Sequence, residues 1–310
     1  MESARPDIAP PAKSALGFFL ALMLLYVGLG STAQGFHPAA GLVWTELFVF
    51  LLPPPIAATA SNLRPSAFLL LSRRPTARQV ALGAATGVAL FLAASGIMSL
   101  TALLVPRPWV DAFDIAHLFQ GSPGERMAMA LIASLLAPLA EEVAFRGYVL
   151  SALRTRLRPG LAIAASSVLF ASMHLDPVRF PAVLFLGTFL GWLAWRSGSL
   201  WPAVAAHAAN NGLGSIAVLN GGGDPAAGGS LVSGLALLAV GLVALSPLAL
   251  AWVRATPEPP AGSDDLVRID PAEPSIRFHA TAVPPTWLGA ALAGVLLYGA
   301  LAAFQTLGRR

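Results

Sequence analysis

The chain has no cysteine, a single lysine and few charges of either sign. Without cysteine there is no disulfide, no thiolate metal ligand and no cysteine nucleophile. With 11% charged and 56% hydrophobic residues, the 310-residue chain is far too apolar for a soluble globular fold. Its formal charge of +4 is carried almost wholly by arginines scattered over short connections, with Lys13 the one lysine. That pattern reads as membrane topology, and no nucleic-acid partner is expected. There is no His-Glu-x-x-His sequence, and no internal repeat of the kind that builds many transporters.

What the chain does have is a series of continuous apolar runs of about 20 residues, the length a helix needs to cross a bilayer. The runs lack the alternation of a β-barrel, so the expected fold is all-α: a polytopic membrane protein of about eight (seven to nine) transmembrane helices in contact with the lipid bilayer. The first span is expected over Ser14 to Gly30, retained rather than cleaved near Ser31-Thr32-Ala33. A second starts near Gly41 and should break at Pro53-Pro54-Pro55. Further spans are expected over Val80–Val105, Met127–Leu153, Gly160–Leu175, Phe180–Trp195, Leu200–Val218, Leu231–Val253 and Trp287–Thr306. Arginine-rich connections at Arg64 to Arg78 and Arg154 to Arg158, with Arg196, mark the cytoplasmic side. Residues 255–285, rich in proline and acidic side chains, read as a cytoplasmic linker. The chain thus divides into N-terminal helices (1–126), a four-helix core (127–218) and C-terminal helices (219–310). The bacterial cytoplasmic membrane is the expected location.

Ionisable side chains inside the spans are few: Glu46, Glu141, Glu142, Arg146, His174 and His207. A charge at the bilayer centre costs at least about 2.5–3.5 kcal/mol, so each asks for a reason. Glu142 and Arg146 are four apart on one helix face and can neutralise one another. Glu141 points about 100° away, without a cation of its own on that helix. It is therefore the candidate base, and Pro138 just before it should kink the helix. Two more spans carry pairs at the same spacing, Phe170 with His174 and His207 with Asn211. Counted at 1.5 Å per residue from the cytoplasmic ends, Glu141, His174, His207 and Asn211 lie roughly 18, 21, 12 and 18 Å deep. Groups at one level can activate a water and hold the oxyanion of a tetrahedral intermediate, in a cavity expected to open toward the cytoplasm. Asn210 lacks helical register with His207 and is the weaker asparagine, while Glu46 beside Thr45 reads as a polar group near an interface.

The set Glu141-Glu142-x-x-x-Arg146, Phe170-x-x-x-His174 and His207-x-x-x-Asn211, in that order on successive helices, resembles the three motifs of the CPBP family. That family contains the type II CAAX prenyl endopeptidases and the bacteriocin-processing and self-immunity proteins of the Abi group. The resemblance covers about residues 127–215 and includes the run Gly187 to Trp201. It implies an intramembrane endopeptidase in which Glu141 activates water, His174 and His207 position it, and Asn211 helps hold the oxyanion. Glu142, Arg146 and Phe170 would support them. The substrate would be a membrane-associated peptide or protein: a prenylated protein, a leader, or a C-terminal sorting signal. The family has been described both as glutamate-dependent and as metal-dependent. With asparagine a poor zinc ligand, no cofactor is favoured, and zinc held by Glu141, His174 and His207 is the alternative. A non-catalytic peptide-binding or immunity protein and a proton-coupled transporter are the competing function classes.

Overall fold

A computed structural model describes residues 12–61, 63–221 and 229–256. The expected ninth span, most of the 255–285 linker and most of the glycine-rich loop after Gly221 lie outside the described residues. Among the described residues the architecture is all-helical and the chain is an integral membrane protein. Eight long helices follow one another: α1 (Ser14–Phe36), α2 (Pro38–Ala60), α3 (Ala77–Ala102), α4 (Pro123–Arg154), α5 (Pro159–Met173), α6 (Phe180–Ser197), α7 (Trp201–Leu219) and α8 (Leu231–Ala255). Of these, α1, α2, α3, α4 and α8 are long and apolar enough on their own to cross a membrane. The other three are shorter or carry more polar side chains, as helices that line a site do.

Local sequence accounts for most boundaries. Thr76 caps α3 and exchanges hydrogen bonds with Gln79, and Ser122 does the same for α4 with Glu125. Proline stands in the first turn of α4 to α7, where its missing N–H costs nothing. Helix α5 stops at His174, followed by Leu175 in the left-handed region (φ 52°) and then Asp176-Pro177, as the proline required. Two expectations need correcting. Helix α1 runs six residues past Gly30, straight through Ser31-Thr32-Ala33, and its Phe19, Leu22 and Met23 are part of the main core. The prolines at 53–55 do not end α2, because a π-helical stretch at Glu46–Leu51 widens the backbone before them and a new first turn begins at Pro53.

The arginine-rich connections gather on one face. The Ser199 hydroxyl donates to the Arg73 carbonyl (2.8 Å), the Leu200 N–H to the Leu70 carbonyl (2.9 Å), and Arg196 Nε to the Thr256 hydroxyl (3.2 Å). On the opposite face Arg126 donates to the Leu219 carbonyl, and Arg179 binds Asp176 and the Phe113 carbonyl. This is the asymmetry that the charge pattern foretold.

Close helix contact sets the position of α7. A Cβ placed on Gly83 would lie 2.5 Å from the Pro202 carbonyl oxygen, and one on Gly87 only 2.0 Å from that of Ala206. Two glycines one turn apart on α3 thus let the α7 backbone lie directly against it, the small-xxx-small mode of membrane helices. Gly187 and Gly191 serve the α5–α6 contact similarly, against Phe170, Ser167 and Ile163. A Gly87→Val substitution should separate α3 from α7 and destabilise the protein by about 1–3 kcal/mol or more. Thermal unfolding of the purified protein in detergent checks this, with Gly28→Val, at a position open to space, as the control.

Candidate active site

The middle of α4 departs from regular helix on both sides of the carboxylates. Ile132–Leu136 and Val143–Val149 are π-helical, and the regular turn between them, Ala137–Glu142, holds Pro138, Glu141 and Glu142. Wide turns of this kind recur at functional sites. They also leave carbonyls for side chains to use. The Ala137 N–H donates five residues back, to the Ile132 carbonyl, so the next bond in that register would run from residue 138 to Ala133. Proline at 138 cannot make it. Instead, Asn211 Nδ2 of α7 donates to the Ala133 carbonyl at 3.0 Å. Ser166 of α5 donates in the same way to the Phe145 carbonyl (3.2 Å) in the second π stretch.

Arg146 is 1% exposed and fully engaged. Its Nη1 donates to Glu142 Oε1 at 2.7 Å, its Nη2 to the Gly187 carbonyl at 3.1 Å, and its guanidinium lies 4.2 Å from the centre of the Phe170 ring. One side chain thereby ties α4 to α5 and α6. The expected Glu142–Arg146 pair is present, but it is not self-contained. Glu142 Oε1 also accepts from His207 Nδ1 at 2.9 Å. A carboxylate can only accept, so Nδ1 carries a proton and Nε2 is the nitrogen turned toward Glu141, whose Oε2 lies 3.7 Å away. Glu142 therefore orients the imidazole that Glu141 faces. The division into one structural and one free carboxylate was too simple, since both carboxylates meet the same histidine.

The aromatic ring of Phe170 organises the remainder. It stands edge-on to His174 (centroids 5.0 Å apart, 83°) and to His207 (5.8 Å, 89°). His174 Nδ1 lies 3.1 Å from the Phe170 carbonyl oxygen, and its ring contacts are with Phe170 and not with a carboxylate. Asn211 is brought to the same region, with one N–H used on Ala133 and its Oδ1 accepting from Asn210 Nδ2 at 3.0 Å. Asn210, set aside on helical register, thus fixes the orientation of Asn211, while its own Oδ1 is buried without a hydrogen-bond partner.

Sequence reasoning also missed Glu46. It is 2% exposed, on the π-helical stretch of α2 that packs against the Glu141 turn. The signal was present in principle, since a carboxylate eight residues into an apolar run already lies well below the surface.

Zinc finds no arranged donor set. Among the described residues, no group of three or more histidine, aspartate or glutamate side chains is disposed to hold an ion. His207 Nδ1 meets Glu142, its Nε2 faces Glu141, and the His174 ring stands against Phe170.

Burial changes abruptly at the site. On α4 every residue from Glu142 to Leu150 is buried and none from Leu131 to Leu136 is; on α7 Ala206 and His207 are buried and none from Ala208 to Gly214 is. Because the two helices run in opposite directions, both changes point the same way. The half beside the arginine face is the more tightly packed, with Tyr148 between Phe18 (4.0 Å) and Phe68 (5.5 Å), while Phe119, Met129 and Ala130 form a small cluster on the other side.

Residues 123–213 match the family model described as Type II CAAX prenyl endopeptidase Rce1-like. This segment is similar to that family over 91 of the chain's 310 residues. It encloses Glu141, His174, His207 and Asn211 and leaves Glu46 outside. No curated protein and no solved structure matched the chain.

Two outcomes follow from the Rce1-like site. Arg146→Leu should strand Glu142 as a buried charge and lower stability by about 3–5 kcal/mol, and Arg146→Lys, lacking the fork, should recover only part of it. Yield and thermal midpoint of the detergent-solubilised protein report both. Since the chain has no cysteine, Gly212→Cys offers a unique thiol where a Cβ meets Ser134 only at ordinary contact distance, 4.0 Å. A membrane-impermeant maleimide should label it from the face away from the arginines and not from the arginine face, with buried Ala152→Cys unlabelled from either.

Proposed function

We propose that the protein is an intramembrane endopeptidase that hydrolyses a peptide bond of a membrane-associated protein with a water activated by Glu141. The observation that carries this reading is the meeting of Glu141 with an oriented histidine, His207 Nε2 at 3.7 Å, inside a buried Rce1-like segment. A family of CAAX prenyl endopeptidases supplies the reaction class, and the site supplies the groups for it.

In this mechanism the Glu141 carboxylate takes a proton from water as the oxygen attacks the scissile carbonyl. The tetrahedral intermediate places a negative charge on the former carbonyl oxygen. The second N–H of Asn211 and the ring of His174 stabilise that charge. His207, held by Glu142, keeps a fixed imidazole beside the base and steadies the carboxylic acid formed there. The proton then passes to the amide nitrogen as the C–N bond breaks, which regenerates the carboxylate. Arg146, Glu142 and Phe170 touch no reacting atom and act by fixing His207 and His174.

In this reading substrate enters along the less buried stretches 131–136 of α4 and 208–214 of α7, so the cleaved bond belongs to a segment entering from the face away from the arginines. With the arginines inside, that face is extracytoplasmic, and a leader or C-terminal sorting signal in a bacterial cytoplasmic membrane fits better than a prenylated cytoplasmic protein. The decisive experiment compares wild type with Glu141→Gln, which is nearly isosteric and unable to take a proton. Cleavage of a membrane-anchored reporter peptide should fall by about 10²- to 10⁴-fold while thermal stability and membrane insertion are kept. Full activity in a folded Glu141→Gln protein would overturn the mechanism, and full biological complementation by it would point to a binding role.

A further inference from the structure

The backbone of α4 dictates how the asparagine pair of α7 is turned. Pro138 has no N–H to give the Ala133 carbonyl, and Asn211 Nδ2 supplies one at 3.0 Å. That contact fixes the Asn211 amide: its Oδ1 lies on the other edge, where it accepts from Asn210 Nδ2 at 3.0 Å. The second amide is thereby fixed too, since its nitrogen must meet the Asn211 oxygen. Asn210 Oδ1 is left on the far edge, buried, and no group among the described residues donates to it. Leaving such an acceptor unmatched is destabilising. By contrast, Ser134 Oγ donates to Ser215 Oγ at 3.1 Å, so the next polar side chains along α4 and α7 answer each other.

The position of Asn210 also matters. It follows Ala206 by four residues and His207 by three, so it stands on α7 between the side that lies against Gly87 of α3 and the side that meets Glu141. It belongs to the less buried stretch 208–214, along which the substrate is taken to enter. We propose that Asn210 is a substrate-binding residue: its Oδ1 accepts a hydrogen bond from a main-chain N–H of the peptide being cut, within two residues of the scissile bond. This rests on the peptidase reading above, in which the neighbouring Asn211 donates to the oxygen of the scissile carbonyl. The spacing follows from elementary geometry. Three residues of helix, a rise of about 4.5 Å, separate Asn210 from His207, and an extended peptide advances about 3.3 Å per residue. An acceptor and a donor on adjacent side chains offer the peptide what one residue of a neighbouring β-strand would offer, so the substrate is held extended and by its backbone. A specificity rule results. Side chains near the cut can vary, but proline is rejected at the residue whose N–H Asn210 accepts, because proline has none.

The test uses the full-length protein and the membrane-anchored reporter peptide, with each main-chain N–H of its cleavable segment replaced in turn by an ester oxygen. This removes a donor and keeps the shape. Binding is measured to Glu141→Gln and cleavage with the wild-type base, each with Asn210 in place and with Asn210→Leu, which is close in volume and has no acceptor. With Asn210 in place, one ester should bind about tenfold or more weakly than the parent and lose about as much in kcat/KM. In Asn210→Leu the parent and that ester should be alike. Asn210→Asp keeps an acceptor and should keep the ester penalty, although it no longer donates to Asn211. Asn210→Ala repeats the comparison where the thermal midpoint of Asn210→Leu is lowered. An ester penalty that is the same at every position with and without Asn210 overturns the proposal, as does a reporter that binds neither form. If Glu141→Gln is inactive while Asn210→Leu keeps the ester penalty, the peptidase mechanism stands and this proposal falls. If Glu141→Gln cleaves like wild type, the mechanism falls, and the binding comparison still decides the role of Asn210.

Discussion

One carboxylate oxygen, Glu142 Oε1, accepts from Arg146 on its own helix and from His207 on α7. Both bonds are buried and charge-assisted, the stronger class of hydrogen bond in a protein interior. Through Arg146 the same oxygen is tied to the Gly187 carbonyl of α6 and to the Phe170 face of α5. Four helices that share no continuous polar surface are thereby registered at one level. The proposed chemistry inherits that register: the tautomer of His207, and hence the nitrogen Glu141 meets, follows from which atom Glu142 holds.

The glycines are the steric counterpart of this electrostatic knot. His207 reaches Glu142 only because α7 lies backbone to backbone against α3 at Gly83 and Gly87, and Arg146 reaches the Gly187 carbonyl only because that position has no side chain in the way. The π-helical stretches of α4 play a similar part. They turn backbone oxygens outward, and Asn211 and Ser166 each answer one of them. Polar groups in an apolar medium need partners, and here the backbone itself is arranged to need the side chains that bring the helices together.

Much of the fold was legible because a bilayer imposes length and polarity on every span. All eight long helices described begin within four residues of the expected positions, and the small residues at 187 and 191 sit where close packing was expected. The run-on of α1 and the survival of α2 past three prolines were not legible. Both depend on π-helical widening, which has no composition signature of its own. In the site, spacing found Glu142 with Arg146 and Phe170 with His174, since both lie on single helices. It could not say that Glu142 and Glu141 would share His207, or that Asn210 would hold Asn211, because rotation about a helix axis is set by neighbours. Glu46 was passed over because its depth was misjudged when α2 was started three residues late.

Helix α5 has 15 residues, about 22 Å at the usual rise, beside a hydrocarbon layer of about 30 Å. It is not hidden in the bundle, since Leu161 and Val168 are well exposed. Lipid against this flank must thin to meet it, or leave a dimple that water fills. His174 closes the short end of that helix, so the dimple ends at the site. The proposed hydrolysis needs water where the bilayer excludes it, and a helix too short for its surroundings is a simple way to bring the aqueous boundary to Glu141 and His207.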